Sequence, residues 1–195
     1  SDRSGQDLVC KWSDDHGATW SRARMIATHG KQSICPNAAV YDRDTDRIHV
    51  LYNLFTWDFD APPPKNIRGE MGELTCVQYH LESADGGMTW SAPRDISDMG
   101  DTQGAVAVFG SGEGIQLRHG DHSGRLLISG GDFYRGKKVL CYYSDDHGST
   151  WQRGAPVPTP QPMAMAMASE TKVAELPDGS LLLNSRSYHE DGSVH

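Results

Sequence analysis

One eight-residue pattern occurs three times in this chain and constrains its fold more than any other feature. It reads SDDHGATW at 13–20, SADGGMTW at 83–90 and SDDHGSTW at 144–151, and we call these stretches the three boxes. Their starting points are separated by roughly 60–70 residues, which is longer than one hairpin and suits one supersecondary unit with a variable insertion. The chain is therefore predicted to repeat one structural unit.

Each box lies between two β-rich stretches, of which DLVCKW before the first box and WSRARMI after it are examples. Within a box, the serine and aspartate side chains can bond back to nearby backbone N–H groups, and the glycine can adopt the left-handed backbone of a tight turn. The closing tryptophan offers a large apolar surface to bury. His16 and His147 fill a variable box position and are expected to face solvent. Because the other positions have structural roles, we interpret the boxes as strand–turn–strand scaffold rather than as the chemistry of the protein.

Further hairpin signals occur at 40–53, 118–131 and 173–185, and no segment shows a sustained helical apolar period with helix caps. An all-β fold is therefore predicted. Many short strands in a repeated array indicate a β-propeller, of which this length supplies about three to four blades. A β-sandwich is the alternative, but it does not explain the repeat.

Composition excludes several classes of partner. Lys and Arg total 18 against 26 Asp and Glu, a formal net charge of -8, so the basic stripe that binds nucleic acid is missing. No apolar run is long enough to span a membrane.

The sequence also argues against a metal or other cofactor, and we expect none. The four cysteines lack C-x-x-C or Cys/His metal spacing and are interpreted as buried free thiols. The stretch DRDTDR at 42–47 begins like a calcium loop, but Arg47 stands where glycine is needed, which favours a hairpin turn.

The chain begins at Ser1 without a methionine and ends at His195, shortly after a strand-like run. We therefore expect a fragment of a longer protein, with any signal peptide before residue 1. A secreted or periplasmic location is the expectation.

The boxes and several longer stretches resemble sialidases (neuraminidases), in which such repeats are called Asp boxes. The longer stretches are SDRSGQDLVCKWSDDHGATW at 1–20, SGEGIQLRHGDHSGRLL at 111–127 and ETKVAELPDGSLLLNSR at 170–186. The resemblance implies a six-bladed propeller that hydrolyses terminal α-linked sialic acids on sialylated glycans with retained configuration. It also implies a catalytic set of three arginines on the substrate carboxylate, an acid/base aspartate, and a tyrosine nucleophile paired with a glutamate.

Asp2 occupies the position that the resemblance gives to the acid/base aspartate, just ahead of the strand leading into the first box. A carboxyl group suits the task because it must protonate the departing sugar oxygen and then activate water. Asp7 provides a competing register, and a solvated terminal aspartate is the alternative interpretation of Asp2.

The stretch LPDGS at 176–180 predicts a hairpin with a three-residue loop. Pro177 and Asp178 suit a type I turn, and Gly179 suits the left-handed position that follows it.

This hairpin register places Glu170 directly opposite Arg186, with Lys172 and Asn184 following on the same face. An ordinary cross-strand ion pair is one interpretation of Glu170 and Arg186. The resemblance implies instead that Glu170 polarises the tyrosine nucleophile and that Arg186 binds the substrate carboxylate, with Asn184 as a further substrate-binding candidate. A guanidinium suits this role because its planar fork meets a carboxylate through two parallel bonds.

A neutral tyrosine is a suitable nucleophile because the anomeric centre of sialic acid already bears a carboxylate. Tyr188 lies only two residues beyond Arg186 and is not assigned to this role. The tyrosine and two of the arginines would lie outside residues 1–195, so the isolated piece is expected to be inactive.

Two classes of function remain open: an exo-α-sialidase, and a non-catalytic Asp-box propeller that binds glycans or protein partners. The pairing of Glu170 with Arg186 favours the enzyme, since a binding scaffold has no need to keep these residues together.

Overall fold

The computed structural model describes residues 5–55, 76–99, 107–110, 112–132, 138–158 and 169–186. Strands and two short 3-10 helices, Ser97–Met99 and Gly120–His122, make up the regular structure of these ranges, which contain no α-helix. The strands are β1 (Leu8–Cys10), β2 (Arg24–Ala27), β3 (Ser33–Asp42), β4 (Arg47–Phe55), β5 (Cys76–Ser83), β6 (Arg94–Asp95), β7 (Ala107–Phe109), β8 (Gly112–Glu113), β9 (Ile115–Gln116), β10 (Leu126–Asp132), β11 (Val139–Ser144), β12 (Gln152–Arg153), β13 (Ser169–Glu175) and β14 (Leu181–Arg186). The all-β prediction is confirmed. In the described ranges, neither helix has the length and apolar character that a membrane crossing requires.

These strands form four sheets that follow one another along the chain. The first pairs β1 with β2, and the fourth pairs β13 with β14. The second has the order β6-β5-β4-β3-β8, and the third has the order β12-β11-β10-β7, with β9 also pairing with β10. All pairs are antiparallel except β3 with β8, so each large sheet is mainly a meander.

Strand β4 packs against neighbouring sheets with both of its faces. Its sequence, RIHVLYNLF, is rich in β-branched, aromatic and leucine side chains, and successive side chains point to opposite faces. Val50 and Tyr52 belong to a core shared with Leu8 of the first sheet, whereas Leu51 belongs to a core shared with the third sheet. A strand buried on both faces reads as a nearly continuous apolar run, as this one does.

Strand β10 repeats this arrangement one sheet further along. Leu126 and Ile128 lie in the core between the second and third sheets, and Leu127 lies in a smaller core with Val173 of β13. The four sheets therefore stack face to face in chain order, with an apolar layer between each neighbouring pair. Burial of each leucine-sized side chain in these layers contributes about 1.5–3 kcal/mol.

The turn and thiol predictions are also confirmed by the described residues. Residues 43–46 form the tight turn between β3 and β4, as expected for DRDTDR. None of the four cysteines forms a disulfide, all four are partly buried, and burial raises the pKa of the Cys76 thiol to about 12.

Candidate functional site

The three boxes share one hydrogen-bond pattern. In each box, the serine hydroxyl donates to Oδ1 of the aspartate at 2.8 Å and accepts the glycine N–H at 2.8 Å. The aspartate also accepts the threonine N–H at 2.8 Å and the threonine hydroxyl at 2.5–2.6 Å. The residues are Ser13, Asp15, Gly17 and Thr19 in the first box, Ser83, Asp85, Gly87 and Thr89 in the second, and Ser144, Asp146, Gly148 and Thr150 in the third.

The boxes connect β1 to β2, β5 to β6 and β11 to β12, and thus lead into an outer strand of the first, second and third sheets. The prediction that the boxes are repeated strand–turn–strand units is confirmed. The threonine hydroxyl and N–H groups lower the pKa of the Asp15 and Asp85 carboxyls to about 2. A carboxylate that stays ionised, and whose oxygens accept hydrogen bonds from its own turn, cannot serve as a general acid near neutral pH. The geometry therefore supports the scaffold interpretation.

The hairpin β13–β14 has the loop that its sequence predicts. The Leu176 N–H donates to the Ser180 carbonyl at 2.8 Å, and the Gly179 N–H donates to the Leu176 carbonyl at 2.9 Å. Gly179 has a φ of 83°, in the left-handed region. Oδ1 of Asp178 accepts the Ser180 N–H at 2.9 Å and its hydroxyl at 2.6 Å, which fixes the turn.

The predicted register is right near the loop and wrong at the far end of the hairpin. Lys172 lies opposite Asn184, as predicted, but Arg186 lies opposite Ser169 rather than Glu170. The cause is a β-bulge between Ser169 and Lys172, within which Glu170 takes a φ of 59°. The extra residue in β13 shifts the pairing by one position. Glu170 and Arg186 nevertheless sit on adjacent antiparallel strands, one pairing step apart.

The loop of this hairpin lies at the same end of the stacked sheets as the third box. The Glu175 carboxylate accepts the backbone N–H groups of Arg118 and His119 at 2.8–3.1 Å. The same connection between β9 and β10 carries Arg125, whose Nε donates to Asp145 of the third box at 2.7 Å.

Glu170 and Arg186 lie at the opposite, open end of the hairpin. Along a strand, the step from Glu175 to Glu170 covers about 15 Å. We call residues 169–171 and 185–186 the open end. It is well separated from the box turns, so scaffold and candidate site occupy different ends of the sheets.

The remaining predicted site residues have different positions. Asp2 lies outside the described residues, whereas its competitor Asp7 is exposed and immediately precedes β1. Asn184 is exposed on β14. The ammonium group of Lys172, opposite Asn184, occupies the space that a Cβ on Gly112 would need.

Several buried polar contacts have no clear signal in the sequence because their partners are far apart in the chain. Ser129 of β10 donates its hydroxyl to the Thr171 carbonyl at 2.6 Å. His147 of the third box, predicted to face solvent, is about half exposed but also contacts the buried Asp42 carboxylate, Nδ1 to Oδ2, at 2.9 Å. Both contacts join neighbouring sheets.

Two clusters among the described residues bring three metal-capable atoms together. In the first, His49 Nδ1 lies 3.0 Å from His80 Nε2 and 3.7 Å from Glu82 Oε2. Arg94 Nη2 lies 3.2 Å from His80 Nδ1. A guanidinium can only donate, so His80 Nδ1 accepts, and its protonated Nε2 donates to His49. Burial lowers the pKa of His80 to about 3, so this imidazole stays neutral near neutral pH, and the two facing nitrogens are occupied by the hydrogen bond within the pair.

The second cluster contains Asp42, Asp44 and His147. Donors of the protein already occupy both oxygens of Asp42: Gln116 Nε2 on Oδ1 at 2.7 Å, and Thr45 and His147 on Oδ2. This carboxylate therefore serves as a structural acceptor.

Comparison with known proteins links this architecture to one family. Residues 1–195 match the BNR repeat-like domain. A sialidase from Micromonospora viridifaciens is 40% identical over 95% of this chain, which spans 28% of that relative's length.

Solved structures show the same fold. A Hadza microbial sialidase aligns with a TM-score of 0.74 at 24% identity, covering 93% of this chain and 36% of that chain. The leech intramolecular trans-sialidase, solved with 2,7-anhydro-Neu5Ac, aligns with a TM-score of 0.75 at 17% identity, covering 95% of this chain and 43% of that chain. The stacked sheets are thus blades of a sialidase-type β-propeller, as predicted. The chain belongs to the BNR repeat-like domain family.

Proposed function

We propose that the full-length protein carrying this sequence is an exo-α-sialidase that removes terminal sialic acids from glycoproteins, glycolipids and oligosaccharides. The observation that carries the proposal is the 40% identity to a bacterial sialidase over 95% of the chain. The arrangement of the hairpin supports it, because Glu170 and Arg186 lie on adjacent antiparallel strands at the end of the hairpin away from the scaffold turns.

Substrate binding in this proposal rests on the carboxylate of sialic acid. Arg186 binds that group together with two arginines outside residues 1–195, and Asn184, near it on β14, contacts the sugar. A guanidinium pairs with a planar carboxylate through two charge-assisted hydrogen bonds, which fixes the orientation of the sugar ring.

The proposed chemistry is a double displacement. The hydroxyl of a tyrosine outside residues 1–195 passes its proton to Glu170 and forms a bond to the anomeric carbon as the glycosidic C–O bond breaks; Glu170 returns that proton when water releases the tyrosine. Asp2 protonates the departing oxygen and then removes a proton from the water that hydrolyses the tyrosyl intermediate. Two inversions at one carbon retain the α configuration.

Release of sialic acid tests the proposal. Full-length protein should liberate free sialic acid from a fluorogenic aryl α-sialoside, with activity unaffected by EDTA. The first product observed by NMR should be the α anomer. Formation of 2,7-anhydro-Neu5Ac would show that the reaction is intramolecular transfer and not hydrolysis. Retention of the protein on sialylated glycans without turnover would contradict the enzyme proposal and support a binding propeller.

A further inference from the structure

Glu170 has an unusual backbone conformation for a residue within a strand. Its φ of 59° lies in the left-handed region. The other non-glycine residues with positive φ in the described ranges, His16, Asp46 and His147, all lie in turns. Such strain persists where the surrounding structure imposes it, and it concentrates at functional sites. The surroundings of Glu170 therefore need to supply the constraint.

Thr171 supplies part of that constraint. It follows Glu170 and is 0% exposed. Its carbonyl accepts the Ser129 hydroxyl at 2.6 Å, and its own hydroxyl lies 3.1 Å from the Ser185 hydroxyl, next to Arg186. Thr171 thus connects the bulge to β10 of the neighbouring blade and to the strand that carries Arg186.

Gly110 completes the cluster from the third sheet. Its N–H donates to the Ser129 carbonyl at 2.6 Å. A Cβ on Gly110 would lie 2.7 Å from the carbonyl oxygens of both Ser129 and Thr171, so no side chain fits there. Three chain segments therefore approach one another closely beside the bulge, and two of them belong to a different blade from Glu170.

We propose that Ser129, Thr171 and Ser185 are positioning residues that hold Glu170 and Arg186 in their catalytic arrangement. The inference rests on the proposed sialidase function. The hydroxyl of Ser129 fixes the backbone immediately after Glu170, and the contact between Thr171 and Ser185 fixes the spacing between the two strands. Without these contacts, the bulge can relax to the ordinary register, in which Glu170 moves by one pairing step relative to Arg186.

The test compares two buried serines of the full-length enzyme. Ser129 is 2% exposed and Ser144, in the third box, is 1% exposed, so Ser129→Ala and Ser144→Ala remove equally buried hydroxyls. We expect Ser129→Ala to lower kcat about 10- to 100-fold with little change in KM, because a misplacement on the order of 1 Å can cost that much. Ser144→Ala should leave kcat per folded molecule unchanged. Thr171→Val should behave like Ser129→Ala, whereas Thr171→Ser should retain wild-type kcat because it keeps the hydroxyl.

Kinetics are measured per folded molecule, with the folded fraction taken from urea unfolding. If Ser129→Ala does not fold, Ser185→Ala, which removes a partly buried hydroxyl from the same cluster, replaces it with the same expected fall in kcat. Wild-type kcat in both Thr171→Val and the folded serine variant would overturn the positioning role while leaving the sialidase proposal intact. Absence of sialidase activity in the wild-type protein would instead overturn the proposed function and this inference with it.

Discussion

The box turns and the open end of the hairpin both contain carboxylates near left-handed backbone, but they are stabilised differently. In each box, the aspartate accepts hydrogen bonds from the threonine of its own turn, and a glycine with positive φ follows two residues later. At the open end, the left-handed residue is Glu170 itself, and buried contacts from Ser129 and Ser185 hold the adjacent Thr171.

This difference separates two uses of an acidic residue. Both oxygens of a box aspartate accept hydrogen bonds from its own turn, so the same turn recurs in three sheets without a partner for the aspartate from elsewhere. The backbone at Glu170 depends on contacts from another blade, which makes it specific to one place in the propeller. Repetition therefore marks scaffold in this chain, and the non-repeated bulge marks the candidate site.

Arg186→Ala should have the largest effect on activity in the full-length protein. Loss of a bidentate contact to the substrate carboxylate should raise the activation free energy that corresponds to kcat/KM by about 2–5 kcal/mol. KM should rise as well. Steady-state kinetics on an aryl sialoside measure this change. Arg125→Ala is the matched control, since Arg125 pairs with Asp145 at the box end and should leave kcat/KM near wild type.

Glu170→Gln should mainly reduce kcat. The substitution keeps the shape but removes the ability to assist deprotonation of the tyrosine, a contribution of about 100-fold or more. Glu175→Gln, on the same strand but at the box end, should retain kcat. Equal activity of the two variants would remove the assignment of Glu170.

The box aspartates should affect stability rather than chemistry. Asp146→Ala should lower the free energy of unfolding by about 1–3 kcal/mol through lost turn hydrogen bonds, with kcat per folded molecule unchanged. The loss should be smaller for Asp15→Ala, because Trp151 of the third box is 6% exposed and Trp20 of the first box is 61% exposed. Urea unfolding of the two variants measures the order, and the reverse order would contradict it.

Much of this fold can be predicted from the sequence because its signals are local. The box turns and the loop at 177–179 depend on residues that are neighbours in the chain, and both have the predicted geometry. The bulge at Glu170 has no such signal, since glycine is the residue that usually marks a positive φ. The simple register rule consequently fails at that position.

Contacts between blades could not be predicted for a related reason. His147 contacts Asp42 from 105 residues away in the chain, and Ser129 contacts Thr171 from 42 residues away. No pattern within one strand reports which polar residue faces which neighbour across two sheets. The residues that position the candidate site therefore became visible only in the three-dimensional structure.

Acid should lower the free energy of unfolding through the buried histidine pair. The pKa of His80 is lowered from 6.5 to about 3 by burial and by the nearby His49 and Arg94. Below pH 6.5 the unfolded chain binds a proton that the folded chain does not, so stability should fall as pH decreases from 6.5 towards 3. The limiting slope is about 1.4 kcal/mol per pH unit for one such group.

Urea unfolding between pH 6.5 and 4.5 measures this slope before the aspartates titrate. His80→Gln should reduce this slope, because the variant has no proton to gain at that position, while burial of His49 and His29, which also lowers their pKa, leaves part of it. An equally steep slope in His80→Gln would assign the acid sensitivity to other groups.

The most direct test of the separation between scaffold and chemistry compares two double variants of the full-length protein on one fluorogenic sialoside. Glu170→Gln with Arg186→Ala should retain the wild-type free energy of unfolding to within about 1 kcal/mol and lose turnover. Asp15→Ala with Asp85→Ala should unfold at lower urea concentration and keep wild-type kcat per folded molecule. Normal turnover in the first variant, or a stable second variant without turnover, would show that the boxes carry the chemistry and that the open end does not.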